Sequence, residues 1–437
     1  MKDSKPLPKS KQITEVMWPD EQGRSGSVRL LKNIGLLVVC PDHGGQGHVQ
    51  PVRNAAILWR GDTILWVGPE QDLPKRVDLP KPDESFNADG RTVIPGLIDC
   101  HTHLAFGGWR ADEFELRSLG KSYEEIAAAG GGILSTVSAT RATSESDLLW
   151  KSSGLLEDIV RLGVTTIECK SGYGLTVKDE LKQLRVYRSL KSTWPVRLLS
   201  TFLGAHAIPP EYRDQRKEYV RIVTGEMIPE VSEAGLADFC DVFVDAPAFT
   251  IEEGEQILNA GKKAGLIPKV HADQLTPNGG AELAAKVGAI SADHLECISE
   301  KGIERLRNAG IVAVSLPLAT WYLRKEPLPA RKLIDAGVPL AVSTDFNPGS
   351  APSFHLPMAM HLACTLQHMS PVEVLKGATI YAARALGVDV DTGSVEPGKK
   401  ADFVELDVDT INQWLYHFRP DGAARVWSDG VCRFTRY

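Results

Sequence analysis

Val93-Ile94-Pro95-Gly96-Leu97-Ile98-Asp99-Cys100-His101-Thr102-His103 is an apolar run rich in β-formers that stops at two histidines one residue apart. In an extended chain residues i and i+2 point to the same side, so both imidazoles reach one point past the end of a buried strand. Two neutral nitrogen donors on one face make half of a transition-metal site. An isolated His-x-His decides little, and the chain around it carries the argument.

Downstream, strand-like apolar runs alternate with helical segments, which signals βα units around a parallel sheet. After a first strand over 94–100, the runs are Val164–Cys169, Arg197–Leu203, Phe239–Asp245, Leu266–Val270, Ala289–Asp293, Ile311–Leu316 and Val338–Thr344. Between them, Ser144-Glu-Ser-Asp147 opens a helix with an apolar stripe of Leu148, Leu155, Ile159 and Leu162. Thr176-Val-Lys-Asp179 opens another, with Leu181, Leu184 and Leu190 inward, and Gly310 ends a third. The reading is an α/β fold, a (β/α)8 TIM-like barrel over 91–389. An open doubly wound sheet is the alternative, but its Gly-x-Gly-x-x-Gly turn is absent.

Both flanks are strand-like. Ala55–Trp59 and Thr63–Val67 form a hairpin through Arg60-Gly61-Asp62. Ala401–Val408, Ala424–Val426 with Trp427, and Val431–Phe434 follow at the far end. Too few to stand alone at either end, they predict one small, discontinuous β-sandwich from 29–90 plus 390–437. Residues 1–28, rich in Lys, Pro and Ser without an apolar core, read as a flexible N-terminal arm and not a signal peptide.

In such a barrel the active site lies at the carboxyl ends of the strands. Five of the 11 histidines fall there: His101, His103, His206, His271 and His294. Asp345 ends the last strand. Together they read as a metal centre, although any one alone is as well explained as a structural histidine. His43, His48, His361 and His368 read as loop, surface or packing residues. Gly130-Gly-Gly132 lacks the Gly-Lys-Ser/Thr of a phosphate cradle and reads as a mobile or close-packed loop.

Composition is that of a globular, soluble protein. Apolar residues make up 43% and charged residues 24%, and a net charge of −7 speaks against a nucleic-acid or anionic-membrane surface. Seven scattered cysteines without Cys-x-x-Cys suit free thiols in a reducing compartment. No run is long enough to span a membrane, so the expected location is cytoplasmic.

With these residues placed, the chain resembles the metal-dependent amidohydrolase superfamily, whose pattern is Pro-Gly-x-x-Asp-x-His-x-His on strand 1, His on strands 5 and 6, and Asp on strand 8. Within it the narrower likeness is to the imidazolonepropionases of histidine degradation. It is carried by Phe106-Gly-Gly-x-Arg110, Gly130-Gly-Gly-Ile133, Glu168-Cys-Lys-Ser-Gly-Tyr-Gly-Leu175, Gly204-Ala-His206 and His271-Ala-Asp-Gln274. Ala292-Asp-His-Leu295, Ser343-Thr-Asp-x-Asn-Pro-Gly-Ser350 and Gly393–Asp402 complete it.

The resemblance implies hydrolysis of the cyclic amide C–N bond of 4-imidazolone-5-propanoate to N-formimidoyl-L-glutamate. It implies His101, His103, His271 and Asp345 as metal ligands, a mixed N/O set suited to Zn or Fe and poor for Ca or Mg. A bound water there would have its pKa lowered towards ~7. The carboxylated lysine of binuclear relatives has no counterpart on strand 4, which ends in Asp245-Ala-Pro, so one ion per chain is expected. His294 is then free to orient the water or polarise the scissile carbonyl.

Arg110, a planar fork suited to a carboxylate, and Tyr173 are expected to hold the propionate. Tyr123, His206, Gln274, Asn347, Gly349 and Ser350 would surround the rest of the ligand. Some relatives carry Glu at 274; glutamine cannot accept a proton, so proton handling falls to Asp345 or His294. On the residues alone, Arg110 could equally be a surface ion pair with Asp112 or Glu113. Another amidohydrolase, such as an aminoacylase-like enzyme or an aromatic deaminase, remains an alternative, as does a silent barrel used as a scaffold. The expected partner is a small-molecule substrate with a carboxylate, with no nucleic acid and no membrane. Assembly is left open, a homodimer being the one envisaged.

Overall fold

The structure is a computed structural model that describes residues 26–121, 125–126, 131–246, 248–419 and 421–436. Of the N-terminal arm read at 1–28, residues 1–25 lie outside these. The strands divide between two eight-stranded sheets.

The first sheet takes β1 (Val28–Val38), β2 (Pro51–Arg60), β3 (Thr63–Pro69), β4 (Glu84–Asn87) and β5 (Thr92–Pro95) from one end of the chain. From the other end come β14 (Phe403–Leu406), β15 (Ala423–Ser428) and β16 (Val431–Thr435). β1 pairs with β4 through Arg29–Lys32 and with β5 through Leu36 and Leu37. Asn33, at φ 56°, lies between the two registers. The sheet encloses a core of its own, including Leu31, Ile57, Phe403 and two tryptophans, Trp59 and Trp427, packed edge to face at 5.3 Å. Both chain ends contribute, as expected, with β5 of one end pairing with β14 of the other.

The second sheet holds the intervening strands in simple order, all parallel: β6 (Leu97–Thr102), β7 (Val164–Lys170), β8 (Arg197–Ala205), β9 (Phe239–Val244), β10 (Ile267–Ala272), β11 (Ser291–His294), β12 (Val312–Ser315) and β13 (Leu340–Val342). The last returns to the first. Asp345 N–H donates to His101 O at 3.1 Å and His103 N–H to Phe346 O at 2.8 Å. This is the (β/α)8 barrel anticipated from the eight runs.

The deciding stretch is not one strand but two. Val93–Pro95 pairs with β14 in the small sheet, and the barrel strand runs from 97 to 102, not from 94 to 100. Gly96 is the join, where a Cβ would lie 2.2 Å from Thr165 Oγ1. An apolar run buried in both sheets has no polar break by which the sequence could reveal the change of partner.

Helices cover the barrel. Ser144 and Thr176 cap the helices Glu145–Arg161 and Val177–Thr193, accepting from Asp147 N–H and Asp179 N–H as their sequences foretold. The first helix buries Leu148, Leu156 and Ile159, while Leu155 is only partly covered. In the second, Leu184 and Leu190 are buried and Leu181 is not fully so. Gly310 ends Glu300–Ala309 in the left-handed region. At the amino end of β8, Arg197 reaches into the small sheet, to Asp402 at 2.9 Å and Asp429 at 3.0 Å. The small sheet therefore docks at the barrel end opposite the strand carboxyl termini. No described helix is long and apolar enough to cross a membrane, and all seven cysteines are free.

Candidate active site

The backbone bonds that close the barrel also assemble the site. By tying residues 345–346 to 101–103, they bring Asp345 against both histidines of β6. Asp345 Oδ1 lies 3.4 Å from His101 Nε2 and 3.5 Å from His103 Nε2. The donor atoms of His101, His103 and Asp345 all lie within 4.8 Å of one another, and so do those of His101, His271 and His294. His101 thus belongs to both sets, and the His271 ring lies 4.5 Å from that of His101 and 5.7 Å from that of His103. All five side chains are buried.

Such a cluster needs an occupant or a compensating partner, because buried polar atoms are normally hydrogen-bonded. Nε2 of His101 and of His271 are both buried without a hydrogen-bond partner among the described residues. Burial holds the His101 and His103 imidazoles well below the usual histidine range, and pushes His294 down to about 3. Neutral imidazole is the form that ligates metal. Burial also raises the Asp345 carboxyl, against the opposing pull of His294, His271 and Lys170. The donor set fits a transition-metal ion.

Behind the histidines stands a layer that the sequence reading missed. His101 Nδ1 bonds Asp293 Oδ2 at 2.7 Å, and His271 Nδ1 lies 2.9 Å from Asp241 Oδ2. Each carboxylate fixes the ring so that Nε2 faces the centre. Lys170 joins them, with Nζ 2.9 Å from Asp241, 3.6 Å from Asp293 and 2.7 Å from Glu168. Burial alone would discharge this lysine, but Asp241, Glu168 and Asp293 raise it and keep it charged. Burial likewise works against the Asp241 anion, yet His271 and Lys170 hold its carboxyl well below the ordinary range. The available signal was Glu168-Cys-Lys170, two charges at i and i+2 inside an otherwise apolar strand.

The loop after β7 is set by the helix that follows. The Glu180 carboxylate accepts from the backbone N–H groups of Gly172, Gly174 and Leu175 at 3.0, 2.8 and 2.7 Å. Gln183 accepts from Tyr173 N–H at 3.1 Å. Tyr173 is thereby held with its ring 5.8 Å from that of His103 and 5.4 Å from that of His206. His206 stacks on His103 at 5.1 Å, with Nδ1 3.1 Å from Gly172 O.

Arg110 pairs with Glu113, one of the two partners named for it, but not at the surface. Nε and Nη2 donate to Glu113 Oε2 at 2.9 and 2.7 Å, but the side chains are only 8% and 12% exposed, so this is no surface pair. The guanidinium lies over Gly349, where a Cβ would sit 2.0 Å from Nη1. Asn347 spends its amide inside its own loop, donating to Asp345 O and accepting from Gly349 and Ser350 N–H at 2.8 Å each. Gln274 is half-buried beside the loop end of β10. Tyr123 lies outside the described residues.

Several charged residues of the recurring sequence blocks turn out to build the scaffold. Asp99 accepts from the Ser343 hydroxyl and from Thr344 Oγ1 at 2.6 Å, stapling the first strand to the last. Asp273 accepts from Gly279, Gly280 and Ala281 N–H and so starts the helix Gly280–Val287. Asp245 accepts from Leu275 N–H and Thr276 Oγ1, both at 2.6 Å, anchoring the loop that carries Gln274.

Comparison with known proteins gives the chain's family. The model of the Amidohydrolase family matches residues 92–432. The imidazolonepropionase of Geobacillus kaustophilus is 48% identical over 380 residues, covering 87% of this chain and 90% of its own. That of Shewanella frigidimarina is 45% identical over 386 residues, covering 88% and 94%. Among solved structures, E. coli guanine deaminase superposes with a TM-score of 0.72 at 14% identity, over 94% of this chain and all of its own (100%). An adenosine deaminase from Xanthomonas campestris with bound zinc gives 0.66 at 19%, over 93% of each. Those two share the fold. The chain belongs to the amidohydrolase family and, within it, to the imidazolonepropionases.

Proposed function

We propose that this chain hydrolyses the ring C–N bond of 4-imidazolone-5-propanoate, giving N-formimidoyl-L-glutamate in histidine degradation. What supports this most is the near-half identity to imidazolonepropionases over almost their whole length, joined to a buried donor set that wants a metal. In this reading His101, His103, His271 and Asp345 hold one Zn or Fe ion per chain. When bound, such an ion lowers the pKa of water and polarises a carbonyl. The barrel, 91–389, carries the chemistry, and 29–90 with 390–437 forms the smaller unit. The enzyme would work in the cytoplasm on a small acidic substrate; a homodimer is the assembly we envisage.

The chain's own residues do the rest. Arg110, its fork fixed on one side by Glu113, and Tyr173 grip the propionate. His206, Gln274, Asn347, Gly349, Ser350 and Tyr123 surround the ring, and Asn347 also shapes the loop that presents Gly349 and Ser350. Water adds to the ring carbonyl, the C–N bond breaks, and the departing nitrogen takes a proton. His294, neutral in its buried position, accepts the water's proton and returns it to nitrogen, with Asp345 as the other group able to share it. Gln274 contributes a hydrogen bond only. A turnover assay on imidazolonepropionate, with product identified by mass and metal measured per chain, tests the reading. Failure to open the ring with metal bound would refute it.

A further inference from the structure

His294 stands further from a carboxylate than its neighbours do. His101 Nδ1 hydrogen-bonds Asp293 and His271 Nδ1 lies 2.9 Å from Asp241 Oδ2, whereas the carboxylate facing His294 Nδ1 is 3.8 Å away and that nitrogen, like His271 Nδ1, is buried without a hydrogen-bond partner among the described residues. Facing it is a second orphan, Oε2 of Glu296, also buried and unpartnered, 3.8 Å away. The two side chains are 2% and 4% exposed. The other carboxylate oxygen is already fixed, accepting from Thr320 Oγ1 at 2.6 Å. A donor and an acceptor left over in one dry spot complement each other, since each would otherwise carry its full desolvation cost.

The backbone is bent to produce this meeting. His294 and Leu295 are consecutive non-glycine residues at φ 78° and 70°, in the left-handed region. Strain of this kind persists where the surroundings impose it, and it gathers at functional sites. Here the turn carries Glu296 back to the histidine two residues before it, instead of letting the chain run straight on from β11.

We propose that Glu296 is a positioning residue for His294, taking the Nδ1–H as its hydrogen bond so that Nε2 faces the reaction centre. The proposal rests on the reading of His294 as the acid–base group. It gives the site three carboxylate–imidazole pairs of one design: Asp293 with His101, Asp241 with His271, and Glu296 with His294. It also supplies what Gln274 cannot, a carboxyl group beside the group that takes the proton, although burial raises that carboxyl to about 7. The imidazolium formed when His294 accepts the water's proton is then stabilised through Nδ1 by the ionised carboxylate.

The test is a double-mutant cycle on the metal-loaded enzyme. Glu296→Ala should lower kcat roughly 10–100-fold, with KM and metal content near those of the parent. In a His294→Asn background the same change should cost less than about twofold, because interacting residues are not additive. Glu296→Gln, which keeps an acceptor oxygen, should recover part of the loss. Thr320→Val, should Glu296→Ala fold poorly, loosens the carboxylate without removing it and should give a smaller loss that also vanishes with His294→Asn. An equal loss in both backgrounds, a loss that tracks metal content, or no loss at all in the parent would each overturn the proposal. His294→Asn with parental kcat would instead overturn the acid–base reading beneath it.

Discussion

Lys170 Nζ lies 2.9 Å from Asp241 Oδ2 at the heart of the barrel, and both side chains are wholly buried. Through Asp241 and Asp293 this one cation backs the two histidines, His271 and His101, whose Nε2 atoms have no hydrogen-bond partner among the described residues. Removing one member of a buried ion pair costs about 3–5 kcal/mol, because the other charges stay buried and uncompensated. Lys170→Met should therefore lower the unfolding midpoint by several degrees and reduce metal bound per chain. Thermal unfolding and metal analysis of the same preparation check this. An unchanged midpoint with full metal would show that the carboxylates need no lysine.

Metal stoichiometry separates the two donor sets that share His101. One ion per chain is expected, lost together with activity in His271→Ala. His294→Asn should keep its ion and lose roughly 10²–10⁴-fold in rate, the usual worth of acid–base assistance. Loss of metal in step with activity in His294→Asn would make His294 a ligand.

Gly349 is the floor under Arg110, and a methyl group there would fall 2.0 Å from Nη1. Gly349→Ala should push the guanidinium aside and raise KM several-fold, with metal content unchanged. Arg110→Ala removes the charge altogether. For a desolvated pair that is worth roughly 2–5 kcal/mol, so kcat/KM should fall at least tenfold. Steady-state kinetics on imidazolonepropionate decides both, and near-parental values for Arg110→Ala would leave Arg110 with Glu113 as its only task.

Gln274 offers a test of proton handling. Gln274→Ala should cost about one hydrogen bond, roughly 0.5–1.5 kcal/mol, and leave the acidic limb of the pH profile where it was, since no titrating group is removed. Gln274→Glu adds a carboxylate and should change that limb while remaining active. The measurement is kcat/KM against pH for the parent and both variants. Abolished activity in Gln274→Ala with metal retained would contradict a neutral, hydrogen-bonding role.

The sequence by itself determined the barrel, because period is a local property. Apolar runs of strand length spaced by capped helical segments, such as those beginning at Ser144 and Thr176, leave few other ways to bury what they expose. It also placed His101, His103, His271, His294 and Asp345 at strand ends, since a residue's place along its strand is read directly from the chain. Tertiary structure decided what these residues face. The switch of sheets at Gly96 was hidden because both strands are buried, so burial pattern cannot tell one partner from another. Asp273, quoted in the motif His271-Ala-Asp-Gln274, and Asn347 each accept from backbone N–H groups of their own helix or loop, which only the folded chain shows. Asp241 and Glu296 carried no spacing signal, and Lys170 only its nearness to Glu168, for their other partners come from other strands and from the helix after β12. A charge inside a barrel is explained only by the charges that closure brings beside it.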